Sequence, residues 1–412
     1  MTTEHIVIAG GGLAGATAGK TLRAEGFEGS VTVLCAEEQP PYLRPPLSKE
    51  FLLGKAGEET VSVLPPGWYQ ENGVELLMGE PASSIDTTRH LLALAGGRVL
   101  QYSKLLLATG AQPRRIPLPG SDLDGVMTFR TLADSKRLRG LLDGGGKRVV
   151  MVGSGWIGME LAAAARSYGN DVTLLGLEDI PLSAAIGPEL GGFFRTLHEA
   201  NGVQFRLPAS AAEITGQDGR VTAVVTNTGE SLPADLVVIA VGVVPDTALA
   251  EAAGVELRNG ILVDASLRTS APDVFAAGDV ANALHPFTGE HHRSEHWHNA
   301  LHGGKVAAKA MLGQAAVLDM VPYFYTDQFT VSMEYSGFPT LAAGTTPVIR
   351  GSLDEGSFIA YWLRDGAVVA GMSVNQRRVQ KPIKALISGR IPVDAGQLSD
   401  PGVPLEELLP AA

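Results

Sequence analysis

Two stretches of the chain share one order of apolar and small residues. Residues 6–26 read IVIAGGGLAGATAGKTLRAEG, and residues 149–169 read VVMVGSGWIGMELAAAARSYG. Each begins with a β-branched apolar run, which is typical of a strand buried in a parallel sheet. Each continues as an alanine-rich helix that ends at a glycine, and a second apolar strand follows. The repeat predicts two βαβ units.

The pattern changes after about residue 322. Alternating runs such as SFIAYWL (residues 357–363) and AVVAGMSV (residues 367–374) predict antiparallel strands. A helix is predicted over residues 379–388, and the segment from Ser399 onwards has the composition of a loosely held tail.

The turn after the first strand of each unit has the spacing GxGxxG. The first glycine permits a tight turn, the second lets a pyrophosphate approach the backbone, and the third lets the helix pack on the strand. The helix N-terminus then offers free N–H groups to the phosphate. Two copies, each in its strand and helix context, indicate two dinucleotide-binding units. The glycines are Gly10, Gly12 and Gly15, and Gly153, Gly155 and Gly158.

An acid at the end of the second strand of such a unit binds a ribose hydroxyl. Glu37 lies three residues beyond Leu34, and Glu178 lies three residues beyond Leu175. Glu178 is either a ribose ligand of NAD or a solvated side chain, and both interpretations stay open. No lysine or arginine follows Leu175 in this loop to bind a 2′-phosphate, which favours NADH over NADPH.

A third pattern, TSAPDVFAAGDVA over residues 269–281, ends an apolar strand at Gly278 and Asp279. In flavoproteins with two dinucleotide units, such an aspartate reaches the ribityl chain of FAD. The alternative is an ordinary strand-end turn, and the two glycine fingerprints favour the flavin. LLLATGA (residues 105–111) and IAVGVVPD (residues 239–246) mark where the chain passes from one unit to the other and back.

These patterns predict an α/β fold with two Rossmann-like domains, one inserted in the other, and an α+β C-terminal domain. The predicted FAD-binding domain comprises residues 1–110 and 243–321. The predicted NAD-binding domain comprises residues 111–242, and the C-terminal domain comprises residues 322–412.

Composition narrows the class of protein. The 412 residues are 45% hydrophobic and 18% charged, which is typical of a globular protein with two or three domains. A net charge of -12 disfavours nucleic acid as a partner. There is no basic and apolar leader and no apolar run approaching about 20 residues, so we expect a cytoplasmic protein without a membrane partner.

The single cysteine, Cys35, excludes an internal disulfide and a CxxC redox pair. We expect it to be a small buried side chain at a strand end rather than a reactive thiol. The histidine-rich run over residues 285–302 has irregular spacing, so no metal site is expected there.

One long motif, PYLRPPLSK over residues 41–49, makes the chain resemble a known family. It is similar to the FAD-dependent ferredoxin reductases of bacterial oxygenase systems, which belong to the pyridine nucleotide-disulfide oxidoreductase superfamily. The resemblance extends over nearly the whole chain, through TFRTLADS (128–135), SEHWHNA (294–300) and YFYTDQF (323–329).

The resemblance implies roles for individual residues. Lys49 would lie near flavin N5 and pair with Glu160, and these two are the predicted catalytic residues. Many relatives have an acid at the position of Ala36, so the ribose contact of FAD is expected to come from Glu37. The other predicted FAD contacts are Gly10, Gly12, Leu13, Ala14, Gly15, Ala36, Arg44, Pro46, Lys49, Ala82, Ala108, Thr109, Gly110, Arg130, Gly278, Asp279 and Trp297. The predicted NAD contacts are Gly153, Gly155, Ile157, Gly158, Glu160, Glu178 and Gly242.

The resemblance also implies a reaction. Electrons would pass from NAD(P)H, with NADH preferred, through bound FAD to a [2Fe–2S] ferredoxin that feeds a monooxygenase or dioxygenase. Disulfide reductases of similar build relay electrons through a dithiol, and this chain has no cysteine pair. The alternatives are a redox-signalling flavoprotein of the apoptosis-inducing-factor type and an oxygen-reducing NADH oxidase.

A ferredoxin is normally acidic, so the docking surface should be basic despite the net negative charge. The segment from residue 377 to residue 390 carries five cations and no acid. It is either the docking surface or a solvated helix face, and a monomer or weak dimer is expected. The five cations are Arg377, Arg378, Lys381, Lys384 and Arg390.

Overall fold

The structure is a computed structural model, and it describes residues 4–409. Within these residues no helix is long and apolar enough to cross a membrane. The helices in this range are α1 (Leu13–Ala24), α2 (Trp68–Glu71), α3 (Leu132–Leu142), α4 (Trp156–Ser167), α5 (Ser183–Ile186), α6 (Pro188–Ala200), α7 (Ala248–Ala252), α8 (Trp297–Met311), α9 (Pro339–Ala342), α10 (Gln380–Gly389) and α11 (Ala395–Ser399).

The strands in the same range are β1 (His5–Ala9), β2 (Ser30–Cys35), β3 (Val74–Met78), β4 (Ala82–Asp86), β5 (Leu91–Leu94), β6 (Val99–Gln101), β7 (Lys104–Leu107), β8 (Ala111–Pro113), β9 (Val126–Thr128), β10 (Arg148–Val152), β11 (Asp171–Leu175), β12 (Val203–Arg206), β13 (Ala211–Gln217), β14 (Arg220–Thr226), β15 (Ser231–Pro233), β16 (Leu236–Ile239), β17 (Val243–Pro245), β18 (Ile261–Val263), β19 (Val274–Ala276), β20 (Ala281–His285), β21 (Glu290–Arg293), β22 (Tyr323–Gln328), β23 (Val331–Gly337), β24 (Val348–Ser352), β25 (Ser357–Arg364) and β26 (Ala367–Val374).

The described chain forms two compact units, each made of three segments. The first unit comprises residues 4–44, 58–112 and 244–322, and the second comprises residues 45–57, 113–243 and 323–409. The second unit therefore contains the segment 45–57 that carries most of the RPPLSK motif. The three-domain division expected from the sequence stays a prediction.

The first unit contains the first predicted βαβ repeat. Its main sheet has the strand order β19-β7-β1-β2-β3, and all four pairings are parallel. Helix α1 connects β1 to β2, and α8 packs closely on α1. A Cβ at Gly304 of α8 would lie 2.4 Å from the backbone oxygen of Ala14, so the contact requires glycine.

The second unit contains the second repeat. Its parallel sheet has the order β12-β11-β10-β16-β9, with α4 between β10 and β11. The strands predicted from SFIAYWL and AVVAGMSV are β25 and β26, which pair antiparallel in a sheet of order β22-β23-β26-β25-β24. The predicted helix over residues 379–388 is α10, displaced by one residue.

The expectation of a loosely held tail from Ser399 is wrong for the described residues. One guanidinium, that of Arg350 on β24, donates to the backbone oxygens of Asp400 and Val403 at 2.6 Å each. Its contacts also reach the oxygen of Pro401 at 3.3 Å, and Leu408 is buried. Charged donors on backbone oxygens stabilise an irregular segment that has no strand partner of its own.

We predict that Arg350→Ala releases this segment. The variant loses several charge-assisted hydrogen bonds, so the free energy of unfolding should fall by about 1–3 kcal/mol. Hydrogen exchange should accelerate at residues 398–403. The control is Arg220→Ala, which removes an exposed arginine of the same unit. Equal rates of hydrogen exchange at residues 398–403 in both variants would contradict the conclusion that Arg350 holds this segment in place.

Candidate functional site

The first glycine turn has the geometry of a phosphate-binding loop. Gly10 has φ +135°, and a Cβ there would lie 2.0 Å from the oxygen of Ala108. A Cβ on Gly15 would lie 2.1 Å from the oxygen of Gly10, so α1 packs directly on the turn. Gly12 precedes α1 without a side-chain cap, and a Cβ there would meet nothing within 4 Å. The N-terminus of α1 is therefore open to an anion.

The second glycine turn repeats each of these features. Gly153 has φ +118°, and its Cβ would lie 2.3 Å from the oxygen of Ala240. A Cβ on Gly158 would lie 2.0 Å from the oxygen of Gly153. Gly155 precedes α4 without a side-chain cap and also faces open space. Ile157 in the first turn of α4 is a large apolar residue with 43% exposure.

The two candidate ribose acids are held differently. Glu37 accepts hydrogen bonds from the Tyr42 hydroxyl at 2.7 Å and from Arg44 at 3.3 Å, whereas Ala36 is exposed. Glu178 accepts one from the Ser183 hydroxyl at 2.9 Å. Both carboxylates are thus oriented by hydroxyl donors a few residues further along the chain.

The RPPLSK segment is anchored within the second unit. Its 3₁₀ turn, Pro45–Ser48, is followed by Lys49. The hydroxyl of Ser135 on α3 donates to the oxygen of Leu47 at 2.6 Å, and Tyr168 donates to the oxygen of Leu52 at 2.8 Å. These bonds fix the backbone on both sides of Lys49.

Lys49 and Glu160 form a buried ion pair. The Nζ of Lys49 lies 2.8 Å from Glu160 Oε2, and the two side chains are 6% and 3% exposed. Ser48 donates its hydroxyl to the same carboxylate oxygen, and Thr326 donates to Oε1 at 2.6 Å. Burying two charges costs desolvation free energy, which is offset when the charges are paired and when hydrogen bonds satisfy the remaining lone pairs.

Tyr325 lies beside this pair. The Nζ of Lys49 is 5.4 Å from the centre of its ring. Burial raises the pKa of Tyr325 to about 12, and the carboxylates of Glu50, Asp327 and Glu160 act in the same direction. The phenol is therefore neutral at physiological pH.

The chain also buries a histidine in the second unit. His198 on α6 is fully buried, with its Nε2 2.8 Å from Gln328 Oε1. The ring of Phe329 lies edge-on to the imidazole at 5.0 Å. Burial lowers the pKa of His198 to about 4, and the hydrogen bond with Gln328 opposes this only in part.

The remaining predicted FAD contacts occur in both units. Thr109 and Gly110 follow β7, and the Thr109 hydroxyl donates to the oxygen of Asp246 at 2.7 Å. Asp279 lies in a 3₁₀ turn just after β19, and Trp297 is the first residue of α8. The predicted contacts in the second unit are Pro46, Lys49 and Arg130, and the backbone N–H of Arg130 donates to Asp134 at the start of α3.

Cys35 ends β2 with 2% exposure, and burial raises the pKa of its thiol to about 12. A Cβ on Gly11 would lie 2.1 Å from its sulfur, so the thiol packs tightly against the first glycine turn. The prediction that Cys35 is a small buried side chain at a strand end is confirmed.

Parts of the histidine-rich run lie in strands and in a helix. His291 and His292 lie on β21, and His298 lies on α8. Within residues 4–409 no three histidines, cysteines or acids are grouped so that they could hold a metal ion. The expectation that there is no metal site stays a prediction.

Four of the five cations in the segment 377–390 are exposed. Helix α10 buries Ile383, Leu386 and Ile387, and Lys381 lies on its exposed side. Lys384 differs from the others because its Nζ lies 4.3 Å above the ring of Tyr323, and burial lowers its pKa. The exposed members are Arg377, Arg378, Lys381 and Arg390.

Two protein-family models match this chain, and together they cover most of its length. The model of the family described as pyridine nucleotide-disulphide oxidoreductase matches residues 4–304, and the model described as reductase C-terminal matches residues 323–409. The chain belongs to the pyridine nucleotide-disulphide oxidoreductase family. The family resemblance, the α/β fold class and the assignment as an oxidoreductase are thereby confirmed.

Individual relatives are similar over almost their whole length. The chain is 34% identical to putidaredoxin reductase of Pseudomonas putida, covering 99% of this chain and 97% of that one. It is 38% identical to the biphenyl dioxygenase system ferredoxin–NAD(+) reductase component of Paraburkholderia xenovorans, covering 99% of both. A crystal structure of a covalent putidaredoxin reductase–putidaredoxin complex matches with a TM-score of 0.94, 33% identity and 98% coverage of both chains.

The family implies FAD and NAD(P) as cofactors, and the glycine turns fit them. Each turn leaves an uncapped helix N-terminus facing space that a single Cβ would enter. A pyrophosphate needs both free N–H groups and a close backbone. The turn at Gly12 would hold FAD, and the turn at Gly155 would hold the nicotinamide nucleotide.

Sequence reasoning did not identify Thr326, which donates to Glu160. The signal was present in YFYTDQF, because Thr326 and Gln328 share the buried face of β22 while Asp327 is exposed. Polar residues on the buried side of a strand require partners.

Alanine at the second glycine of each turn should separate the two nucleotide sites. Gly12 has φ -88° and Gly155 has φ -79°, which alanine adopts without strain, so both variants should fold. Gly12→Ala should weaken FAD binding about tenfold or more, or about 1.4 kcal/mol. Gly155→Ala should retain FAD and weaken NAD(P)H binding similarly. Flavin absorbance and nucleotide titration measure the two effects, and loss of FAD in Gly155→Ala would contradict the assignment.

Because His198 is buried, we predict that the free energy of unfolding decreases as the pH is lowered. Its unfolded pKa is near 6.5 and its folded pKa is about 4, so between these values the unfolded state binds more protons. Stability should therefore fall as pH drops from 6.5 towards 4, with about 2 kcal/mol lost from this group at pH 5. Urea unfolding of the wild type and His198→Gln at pH 7.5 and 5 tests this. The glutamine variant should lose less stability on acidification, and equal losses would contradict the prediction.

Proposed function

We propose that this protein passes electrons from NADH through bound FAD to a [2Fe–2S] ferredoxin that serves an oxygenase. The observation that carries the proposal is the buried Lys49–Glu160 pair in a chain whose single cysteine is buried at a strand end. Thiol-relay members of such a family need a cysteine pair at the reaction centre. This chain has no cysteine pair, and Lys49 and Glu160 would act through fixed charges instead.

The residues around the pair would prepare the site for a flavin. Bound FAD would supply the conversion of a two-electron hydride donor into single electrons. Lys49 would present a positive charge to a flavin that gains negative charge on reduction. Glu160, Ser48 and the backbone oxygen of Pro45 hold the ammonium group in one position. A preorganised charge in a dry site needs no rearrangement during electron transfer.

NADH is the proposed coenzyme. The segment after β11, residues 176–187, contains no lysine or arginine that could bind a 2′-phosphate. Glu178 in this segment is oriented by Ser183 and would accept hydrogen bonds from the ribose hydroxyls.

The ferredoxin would dock on the basic segment formed by residues 377–390. The protein as a whole has a net charge of -12, so an acidic partner is repelled except where cations are concentrated. Relatives named as reductases of putidaredoxin and of dioxygenase ferredoxins support a small iron–sulfur partner. We propose that the protein works as a monomer or weak dimer.

The test is reduction of cytochrome c by NADH with and without added [2Fe–2S] ferredoxin. Ferredoxin should accelerate the reaction at least about tenfold, and NADPH should be the poorer donor. The double variant Arg378→Glu, Lys381→Glu should weaken coupling to ferredoxin about tenfold, or 1.4 kcal/mol, with a reduced salt dependence. Reduction of ferricyanide, which needs no docking surface, should be unchanged.

The matched control is Arg220→Glu, which reverses an exposed charge on β14 in the same unit. It should leave ferredoxin coupling within about twofold. If ferredoxin gives no acceleration, the electron-transfer proposal is wrong. Slow turnover with every acceptor would then favour a signalling flavoprotein, and rapid oxygen consumption would favour an NADH oxidase.

A further inference from the structure

We infer that Thr326, Gln328 and His198 form a directional hydrogen-bond chain that holds the Glu160 carboxylate towards Lys49. These residues are positioning residues, and the inference rests on the proposed role of the Lys49–Glu160 pair. The chain runs from His198 Nε2 to Gln328 Oε1 at 2.8 Å, from Gln328 Nε2 to Thr326 Oγ1 at 3.1 Å, and from Thr326 Oγ1 to Glu160 Oε1 at 2.6 Å.

The chain lies entirely in the interior of the second unit. Thr326 and Gln328 are each 1% exposed, and His198 is 0% exposed. The three residues belong to two different elements, β22 and α6, and they reach Glu160 on a third, α4. A buried polar network across three elements is retained only when its members satisfy one another.

One proton fixes the direction of the whole chain. The Thr326 hydroxyl has a single hydrogen, and at 2.6 Å from a carboxylate oxygen that hydrogen must point at Glu160. Thr326 Oγ1 then accepts from the amide nitrogen of Gln328, which leaves the amide oxygen facing His198. Because that oxygen only accepts, His198 must carry its hydrogen on Nε2.

The second nitrogen of His198 agrees with this direction. Among the described residues, Nδ1 is buried and has no hydrogen-bond partner. A buried Nδ1–H without an acceptor would cost the desolvation of a donor, so the Nε2–H tautomer is favoured from both ends. Every dipole in the chain points its positive end at the Glu160 carboxylate.

The consequence is that the carboxylate has one allowed orientation. Oε1 is held by Thr326, so Oε2 stays with Ser48 and Lys49. Without the Thr326 donor, Oε1 would be a buried oxygen with an unsatisfied hydrogen-bonding capacity. A rotation of the carboxylate towards its remaining donors would then lower its free energy. That movement would shift the ammonium group of Lys49.

Other charges packed on α4 do not replace the chain. On β22 the titratable neighbours of Thr326 are Tyr323, Tyr325 and Asp327. Charged residues on β10, β11 and β12 have ion-pair partners of their own, which are Arg148 with Asp235, Asp171 with Arg166, and Arg206 with Glu230.

The first test reads the chain directly by NMR of the FAD-bound protein labelled with ¹⁵N-histidine. His198 is assigned by its loss in His198→Gln. The wild type should show a single Nε2–H tautomer, and its Nε2 proton resonance should shift in Thr326→Val and in Glu160→Gln. Thr326→Ser, which keeps the hydroxyl, should restore the wild-type resonance. An Nδ1–H tautomer, or a resonance unaffected by Thr326→Val, overturns the inference.

The second test reads the effect on Lys49 through the rate of flavin reduction by NADH in rapid mixing. Thr326→Val should slow reduction about tenfold, which is the effect of one charge-assisted hydrogen bond. NADH affinity should stay within about twofold, and Thr326→Ser should recover the rate. The control Thr226→Val removes a buried threonine hydroxyl of β14 in the same unit and should have no effect.

The two tests separate this inference from the proposed function. If NADH does not reduce the wild-type flavin, the function fails, while the tautomer of His198 still tests the chain. If Thr326→Val and Thr226→Val slow reduction equally, the effect is structural and the chain has no positioning role. Should Thr326→Val not fold, Gln328→Met breaks the next link and is judged by the same resonance and rate.

Discussion

The second unit depends on an ion pair, Lys49 with Glu160, that is buried away from water. An ion pair as buried as Lys49 and Glu160 is stable only if its desolvation is offset by close contact and by additional donors. The donors come from Ser48 and from Thr326 on β22. The pair therefore requires a fixed relative position of three elements, which are the 3₁₀ turn of segment 45–57, helix α4 and strand β22. A displacement of any of the three would deprive the buried Glu160 carboxylate of its counter-ion or of one of its donors.

The same constraint explains why a short segment is anchored so firmly. Residues 45–57 are separated in sequence from the rest of the second unit, and the backbone hydrogen bonds of a 3₁₀ turn are weak. Ser135 and Tyr168 donate to backbone oxygens on either side of Lys49. The position of one ammonium group is thus determined by side chains from α3 and from the residue that follows α4.

The sequence predicted the local features and missed those that depend on distant residues. The turns at Gly10 and Gly153 can be formed only by glycine, so the glycine spacing was sufficient to predict both βαβ units. The pairing of Lys49 with Glu160 came from a family resemblance, because nothing local joins residues so far apart. Arg350 gave no signal, since its acceptors are backbone oxygens more than 45 residues away. A guanidinium that binds carbonyls is indistinguishable in sequence from a solvated arginine.

Cys35 lies at the end of β2 and is buried. It packs against the first glycine turn, where a dinucleotide would bind, and burial raises the pKa of its thiol to about 12. Since it is the single cysteine of the chain, it cannot form the dithiol that a thiol relay needs. The second unit holds a buried cation, Lys49, in an ion pair with Glu160, and we propose that the chain of donors from His198 keeps that pair in place. In the proposed function, the second unit would supply FAD with a charge held in place rather than with a bond that breaks.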